Sequence, residues 1–96
     1  MIHLAELRQR ADNYEFRAAH VLARMHGNMV HTWLEVLDRV RRDPQGEDRQ
    51  GIELLWVRKL AIEGSIQDWA VVTRFLWLCD QLWENECRQY AQSYAA

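Results

Sequence analysis

The stretch from Ser65 to Tyr94 constrains the fold most, because it carries the longest unbroken apolar pattern in the chain. Its apolar residues recur at steps of three and four, the period of an α-helix; they are Trp69, Val72, Leu76, Cys79, Trp83, Cys87 and Tyr90. A second strip beside the first consists of Val71, Phe75, Leu78 and Leu82. Together the strips cover about half of the helix circumference, so we expect this helix to pack against at least two neighbours.

The start of this helix is marked by Gly64 and Ser65. Ser is a favoured N-cap residue, and Asp68 follows at the position from which an acid can reach back to the cap amide. Gly64 suits the left-handed residue that ends a preceding helix. We therefore predict a tight helix–helix junction at residues 64–65.

Residues 2–42 carry another helical pattern, interrupted only at Gly27 and Asn28. Gly can end a helix and Asn can cap the next one. However, the apolar phase from Leu4 to Val40 continues across the interruption, whereas a sharp turn usually resets it. We therefore favour one long helix of about 60 Å, with a break at Gly27 as the alternative.

Residues 51–63 are the most evenly apolar part of the chain, and they follow a loop at residues 43–50 that contains Asp43, Pro44 and Gly46. Their apolar side chains point in almost every direction around a helix. Such a helix is either buried on all sides or completes its burial against another chain.

The composition favours an all-α fold. The chain has 96 residues, of which 49% are hydrophobic and 27% charged, and this size and balance fit a single globular domain spanning residues 1–96. One Pro and four Gly leave few breaks. No stretch alternates with a period of two residues, as strands would. We predict a compact helical bundle of three helices, or four if the first helix breaks at Gly27.

Charge and cysteine usage indicate a cytoplasmic protein. The net charge of −2 neither attracts nor repels nucleic acid strongly. Cys79 and Cys87 would be about 12 Å apart on one helix, too far for a disulfide, and we expect both to be buried as small apolar side chains. The sequence shows no signal-peptide pattern and no apolar run long enough to cross a membrane.

Catalytic and metal-binding patterns are absent from the sequence. His31 and Glu35 have the helical spacing of metal ligands, but no second motif completes a site. No nucleophile has a base nearby in sequence, and no Gly-rich phosphate loop occurs. We therefore expect no enzyme activity, no cofactor and no metal.

Trp77 breaks the pattern of the long helix, because it projects from the polar side. One interpretation is that Trp77 packs beneath another segment or beneath Arg74. The other is that Trp77 is exposed and anchors a partner, since Trp and Arg are enriched at the residues that dominate binding energy. The second interpretation predicts a protein interface at Trp77, Arg74 and Gln81.

A stripe of basic residues on the first helix suggests an alternative. Arg10, Arg17, Arg24 and His31 repeat every seven residues. Such a row can track phosphates, or it can pair with acids on a neighbouring helix. Arg10, Arg17 and Arg24 are the residues on which nucleic-acid binding would rest.

The function predicted from these patterns is a non-enzymatic helical protein–protein interaction module, such as an adaptor or an inhibitor that docks on a larger protein complex. Five Trp in a chain of this length exceed what a small core needs. A homodimer and direct nucleic-acid binding through the arginine stripe remain open. In size and style the chain compares with small accessory proteins of phages and mobile elements, which is an analogy only.

Overall fold

The computed structural model describes residues 3–95 and places them in four helices, with no strand in that range. Helix α1 spans Leu4–His26, α2 spans Val30–Arg42, α3 covers residues 47–63, and α4 spans Ile66–Ala95. The predicted all-α bundle is confirmed, and it measures 49 × 24 × 24 Å. Among the described helices, none is long and apolar enough to cross a membrane.

The first helix breaks at Gly27, so the prediction of one continuous helix is wrong and the four-helix alternative is correct. Gly27 has φ 77°, a left-handed conformation that a side chain disfavours, and its N–H donates to the carbonyl of Ala23 at 2.8 Å. The residue at the N-cap of α2 is Met29, not Asn28. The connection between the helices is close to one helical turn in length, which is why the apolar phase continues although the chain reverses.

Helix α1 lies between α2 and α4 and packs against both. Its buried face is rich in small side chains, and the buried residues are Leu7, Ala11, Ala18, Ala19, Val21, Leu22 and Ala23. Small side chains at a helix–helix contact allow a short interaxial distance. The space is filled by larger residues of the two neighbours, such as Leu37 of α2 and Phe75 of α4, both fully buried. The predicted broad apolar face of α4 is therefore used against α1 and α3.

Helix α4 runs antiparallel to α1 and extends beyond it. Leu78 and Leu82 pack against Leu7 near the start of α1. From there α4 continues past the end of α1, and residues 86–93 are exposed. The expectation that Cys87 is buried is therefore wrong, because no helix among residues 3–95 covers its side chain.

Helix α3 is α-helical at Glu47–Gly51, π-helical at Ile52–Val57 and α-helical again at Arg58–Glu63. Ile52 and Leu60 are buried in the main core, but Leu54, Leu55 and Ile62 are 61%, 66% and 83% exposed. Helix α3 lies on the side of the bundle and contacts α2 and α4 with one face only. The interpretation that it is buried on all sides is wrong, and burial against another chain stays a prediction.

The tight junction predicted before α4 is present, but the conformation of Gly64 differs from the one expected. The Asp68 amide donates to Ser65 Oγ at 3.0 Å, so the predicted cap is confirmed. Gly64 is extended, with φ −90° and ψ 179°, and is not left-handed. A Cβ at this position would lie 2.9 Å from both the carbonyl oxygen and Cδ2 of Leu60. Gly64 is therefore needed for close approach.

Candidate functional site

Trp77 lies on the outward face of α4 and is 40% exposed. The guanidinium carbon of Arg74, one turn earlier, is 4.4 Å from the centre of the Trp77 ring. Trp77 thus combines the two interpretations of its position, since it lies beneath Arg74 and also reaches solvent. Gln81, one turn later, is half-buried, and its backbone carbonyl accepts a hydrogen bond from the Asn85 side chain at 2.8 Å. The predicted interface residues therefore form an exposed stacked pair with Gln81 beside it.

Arg74 also lines a groove of about 610 Å³ between α1 and α4. We call it the arginine groove, and its lining residues are Tyr14, Arg17, Gln67, Ala70, Val71 and Arg74. The guanidinium carbon of Arg17 is 4.8 Å from the centre of the Tyr14 ring, so Arg17 is stacked on an aromatic ring as Arg74 is. Guanidinium groups on ring faces are attracted by the ring quadrupole and keep their N–H edges free for other partners.

A second groove of about 390 Å³ shares Arg17, Gln67 and Val71 with the first and continues it along α1. It also contains Arg24 and Asp68, whose side chains form an ion pair at 2.8 Å. The charge of Arg24 is therefore compensated within the chain. The uncompensated positive charge of the two grooves lies at Arg17 and Arg74.

An apolar surface lies on the other side of α4. Leu60, Ala61, Gly64, Ile66 and Trp69 line a pocket of about 380 Å³, which we call the junction pocket. Ile66 is 82% exposed and Trp69 is 39% exposed. The first half of α4 therefore presents Ile66 and Trp69 on one side and Arg74 on the other.

Two of the three arginines in the stripe predicted on the first helix form ion pairs within the chain. Arg10 pairs with Glu6 at 3.1 Å, and Arg24 pairs with Asp68 of α4. His31 lies on α2 because the first helix breaks at Gly27. Arg17 is the one member of the stripe's three arginines that pairs with no carboxylate in the described part of the chain.

Sequence reasoning missed the ion pair between Arg49 and Asp80. Arg49 donates to both carboxylate oxygens of Asp80, at 2.8 and 2.9 Å, and Glu53 lies 3.0 Å away. The hydrogen bond to Asp80 raises the pKa of Arg49. The pattern places Asp80 on the polar side of α4 with Glu84, and nothing in the sequence shows that an arginine 31 positions earlier reaches it. This pair fixes α3 on α4 and is structural.

Burial changes the proton affinity of two side chains, Cys79 and Glu15. Cys79 is fully buried, and burial raises the pKa of its thiol to about 12, which suppresses the thiolate. Burial also raises the pKa of Glu15, although Arg41 is 4.0 Å away and opposes the effect. Within residues 3–95, no group of three or more His, Cys, Asp or Glu side chains is placed to hold a metal ion. The surface of α4 offers binding chemistry, namely stacked guanidinium donors beside apolar side chains.

Comparison of the chain with protein-family models, with curated protein sequences and with solved structures gives no match.

Proposed function

We propose that this chain is a non-enzymatic protein-interaction module that docks on a larger protein through the outward face of α4, as a cytoplasmic adaptor or inhibitor. The observation that carries the proposal is the exposed, stacked pair of Trp77 and Arg74 at the middle of the longest helix. Trp and Arg dominate the binding energy of many interfaces, and a preordered pair loses little side-chain freedom on binding.

Exposed apolar side chains elsewhere on α3 and α4 also support the proposal. Ile62, Ile66 and Trp69 are exposed at the junction of α3 and α4. Contiguous exposed apolar surface marks interaction sites more often than it occurs on isolated monomers. Leu54 and Leu55 of α3 are exposed as well, and a second copy of the chain could cover them. The arginine stripe supports nucleic-acid binding less well, since two of its three arginines are already paired with carboxylates.

The test is capture of a partner by the tagged chain from a bacterial lysate treated with nuclease, followed by affinity measurements with the purified partner. Trp77→Ala is the test variant. Met29→Ala is the matched control, since Met29 is 67% exposed but lies in the connection between α1 and α2. We expect Trp77→Ala to weaken binding about 30-fold, the effect of losing an anchor worth about 2 kcal/mol, and Met29→Ala to bind normally.

Thermal unfolding of both variants separates binding from folding. Trp77 is partly exposed and lies outside the buried core, so its removal should cost less than the 3–5 kcal/mol or so of a core Trp→Ala change. Equal loss of stability and binding would show that Trp77 is a core residue. Capture of material that disappears with nuclease would favour the arginine stripe, and recovery of the chain alone would favour a homodimer.

A further inference from the structure

We infer that the arginine groove binds an acidic segment of the partner protein, whose carboxylates pair with Arg17 and Arg74 while neighbouring apolar side chains pack on the outward face of α4. The inference rests on the proposed function and names the chemistry of the partner. It starts from the charges of the groove, since its two guanidinium groups have no internal counter-charge.

Most arginines of the described chain are paired with carboxylates. The paired residues are Arg10, Arg24, Arg39, Arg41, Arg42, Arg49 and Arg88. Arg17 and Arg74 have no such partner among residues 3–95, although the chain has 14 acidic residues against 12 basic ones. Arg8 and Arg58 are also unpaired there, but they line neither groove between α1 and α4. What distinguishes Arg17 and Arg74 is that both face one cavity.

The stacking of the two arginines prepares them for carboxylates. Arg17 lies over Tyr14 and Arg74 lies over Trp77, so each guanidinium group already has one face covered by a ring. A planar guanidinium binds a carboxylate through its edge, with two parallel N–H···O bonds, and this geometry is compatible with a stacked face. Because the side chains are partly ordered before binding, less conformational freedom is lost when the pair forms.

The surroundings of the groove favour a protein segment over nucleic acid. Affinity for nucleic acid grows with the number of phosphates contacted, and two unpaired arginines supply few contacts. Trp77 lies beneath Arg74 and is 40% exposed, so it offers an apolar contact next to the groove that a sugar–phosphate backbone uses poorly. A segment with acidic and large apolar residues complements both halves of this surface.

The experiment is a selection of random 12-residue peptides displayed on phage against the full chain, followed by binding measurements with synthetic copies of the selected peptides. The test variant is Arg17→Gln/Arg74→Gln. Its matched control is Arg8→Gln/Arg58→Gln, which changes the net charge equally but removes unpaired arginines outside the groove. Melting temperatures show whether each variant is folded, and Arg17→Met/Arg74→Met, which also removes both charges but keeps much of the apolar stems, replaces the test variant if the glutamines prevent folding.

We expect the selected peptides to carry at least two acidic residues next to aromatic or aliphatic ones. The groove variant should bind them about tenfold more weakly, while the control stays within about twofold of the original chain. Added salt should weaken binding to the original chain much more than binding to the groove variant.

Four results would overturn the inference: peptides without acidic residues, equal loss in both double variants, no peptide selected at all, or full displacement of the peptides by an equimolar 20-nucleotide DNA strand. Binding that needs Trp77 but not the arginines would remove this inference and leave the proposed function intact. Binding that needs the arginines but tolerates Trp77→Ala would support the arginine groove as the binding site and show that Trp77 is not the anchor.

Discussion

Removing the Asp80 carboxylate should destabilise the bundle more than removing any exposed acid. Arg49 is held in place by Asp80, Glu53 and the Pro44 carbonyl, and its side chain is only 12% exposed. The Arg49 Nε atom is buried without a hydrogen-bond partner among the described residues, so the guanidinium depends on its two terminal nitrogens. An Asp80→Ala change leaves this positive charge with Glu53 alone.

The free energy of unfolding that Asp80→Ala is expected to remove lies between two limits. Losing one partner of a fully buried ion pair costs about 3–5 kcal/mol, and losing a surface pair costs about 0.2–1 kcal/mol. The Asp80 side chain is 42% exposed, so water screens the pair in part. We therefore expect Asp80→Ala to cost about 2 kcal/mol, which corresponds to a fall in melting temperature of roughly 8–16 °C for a domain of this size.

The assay is thermal and urea unfolding of a double-mutant cycle made of Asp80→Ala, Arg49→Met and both together. Met keeps much of the apolar stem of Arg49 without its charge, so the coupling energy isolates the ion pair. Glu84→Ala is the matched control, because Glu84 pairs with Arg88 at 3.5 Å on the exposed face of the same helix. We expect the control to cost less than about 0.5 kcal/mol. A cost for Asp80→Ala no larger than that of Glu84→Ala would refute the reasoning.

Three further predictions concern a buried thiol, a half-buried carboxyl group and the glycine at the α3–α4 junction. Ellman's reagent should label exposed Cys87 in the native chain and Cys79 only after unfolding, since Cys79 is buried and the pKa of its thiol is about 12; rapid labelling of both would contradict this. Burial raises the pKa of Glu15 above 4.5, so its ionisation opposes folding as the pH rises through the folded-state pKa. Glu15→Gln should therefore melt higher than the original chain at pH 7 and no higher below pH 4.5, and a lower melting temperature at pH 7 would show that charge attraction outweighs burial. Gly64→Ala should cost about 1–3 kcal/mol in urea unfolding, because the new Cβ would meet the Leu60 carbonyl at 2.9 Å, and an unchanged midpoint would contradict this.

Periodicity predicted the helices because each one buries a face. The apolar strip of α4 that includes Val72, Leu76 and Cys79 is buried as the pattern predicts, and the Ser65 cap marks its start. The same argument from periodicity failed where burial depends on whether another helix packs against that face. Cys87 continues the strip in phase, but α4 extends past α1 at that point and nothing in the described chain covers it.

Turns and long-range pairs were harder to predict because they depend on the path of the chain. A reversal about one helical turn long leaves the apolar phase unchanged, so periodicity could not distinguish the break at Gly27 from a continuous helix. The contact between Arg49 and Asp80 requires α3 to lie across α4, and only the packing of the whole bundle determines this. The stacking of Arg74 on Trp77 was predictable as one possibility, since the two residues are one turn apart.

The outward face of α4 differs from the core in what its residues contribute to folding. The buried positions of α4, such as Val72 and Phe75, are enclosed by α1 and the rest of the bundle. Trp77 and Ile66 add little to that core, since both remain exposed. Removing apolar side chains from water lowers the free energy, so covering these two residues is favourable. Arg74 reduces this exposure for Trp77 only in part. A partner that covers this face would bury the apolar side chains and neutralise two arginines together, so the binding energy would come from groups that the fold itself leaves unsatisfied.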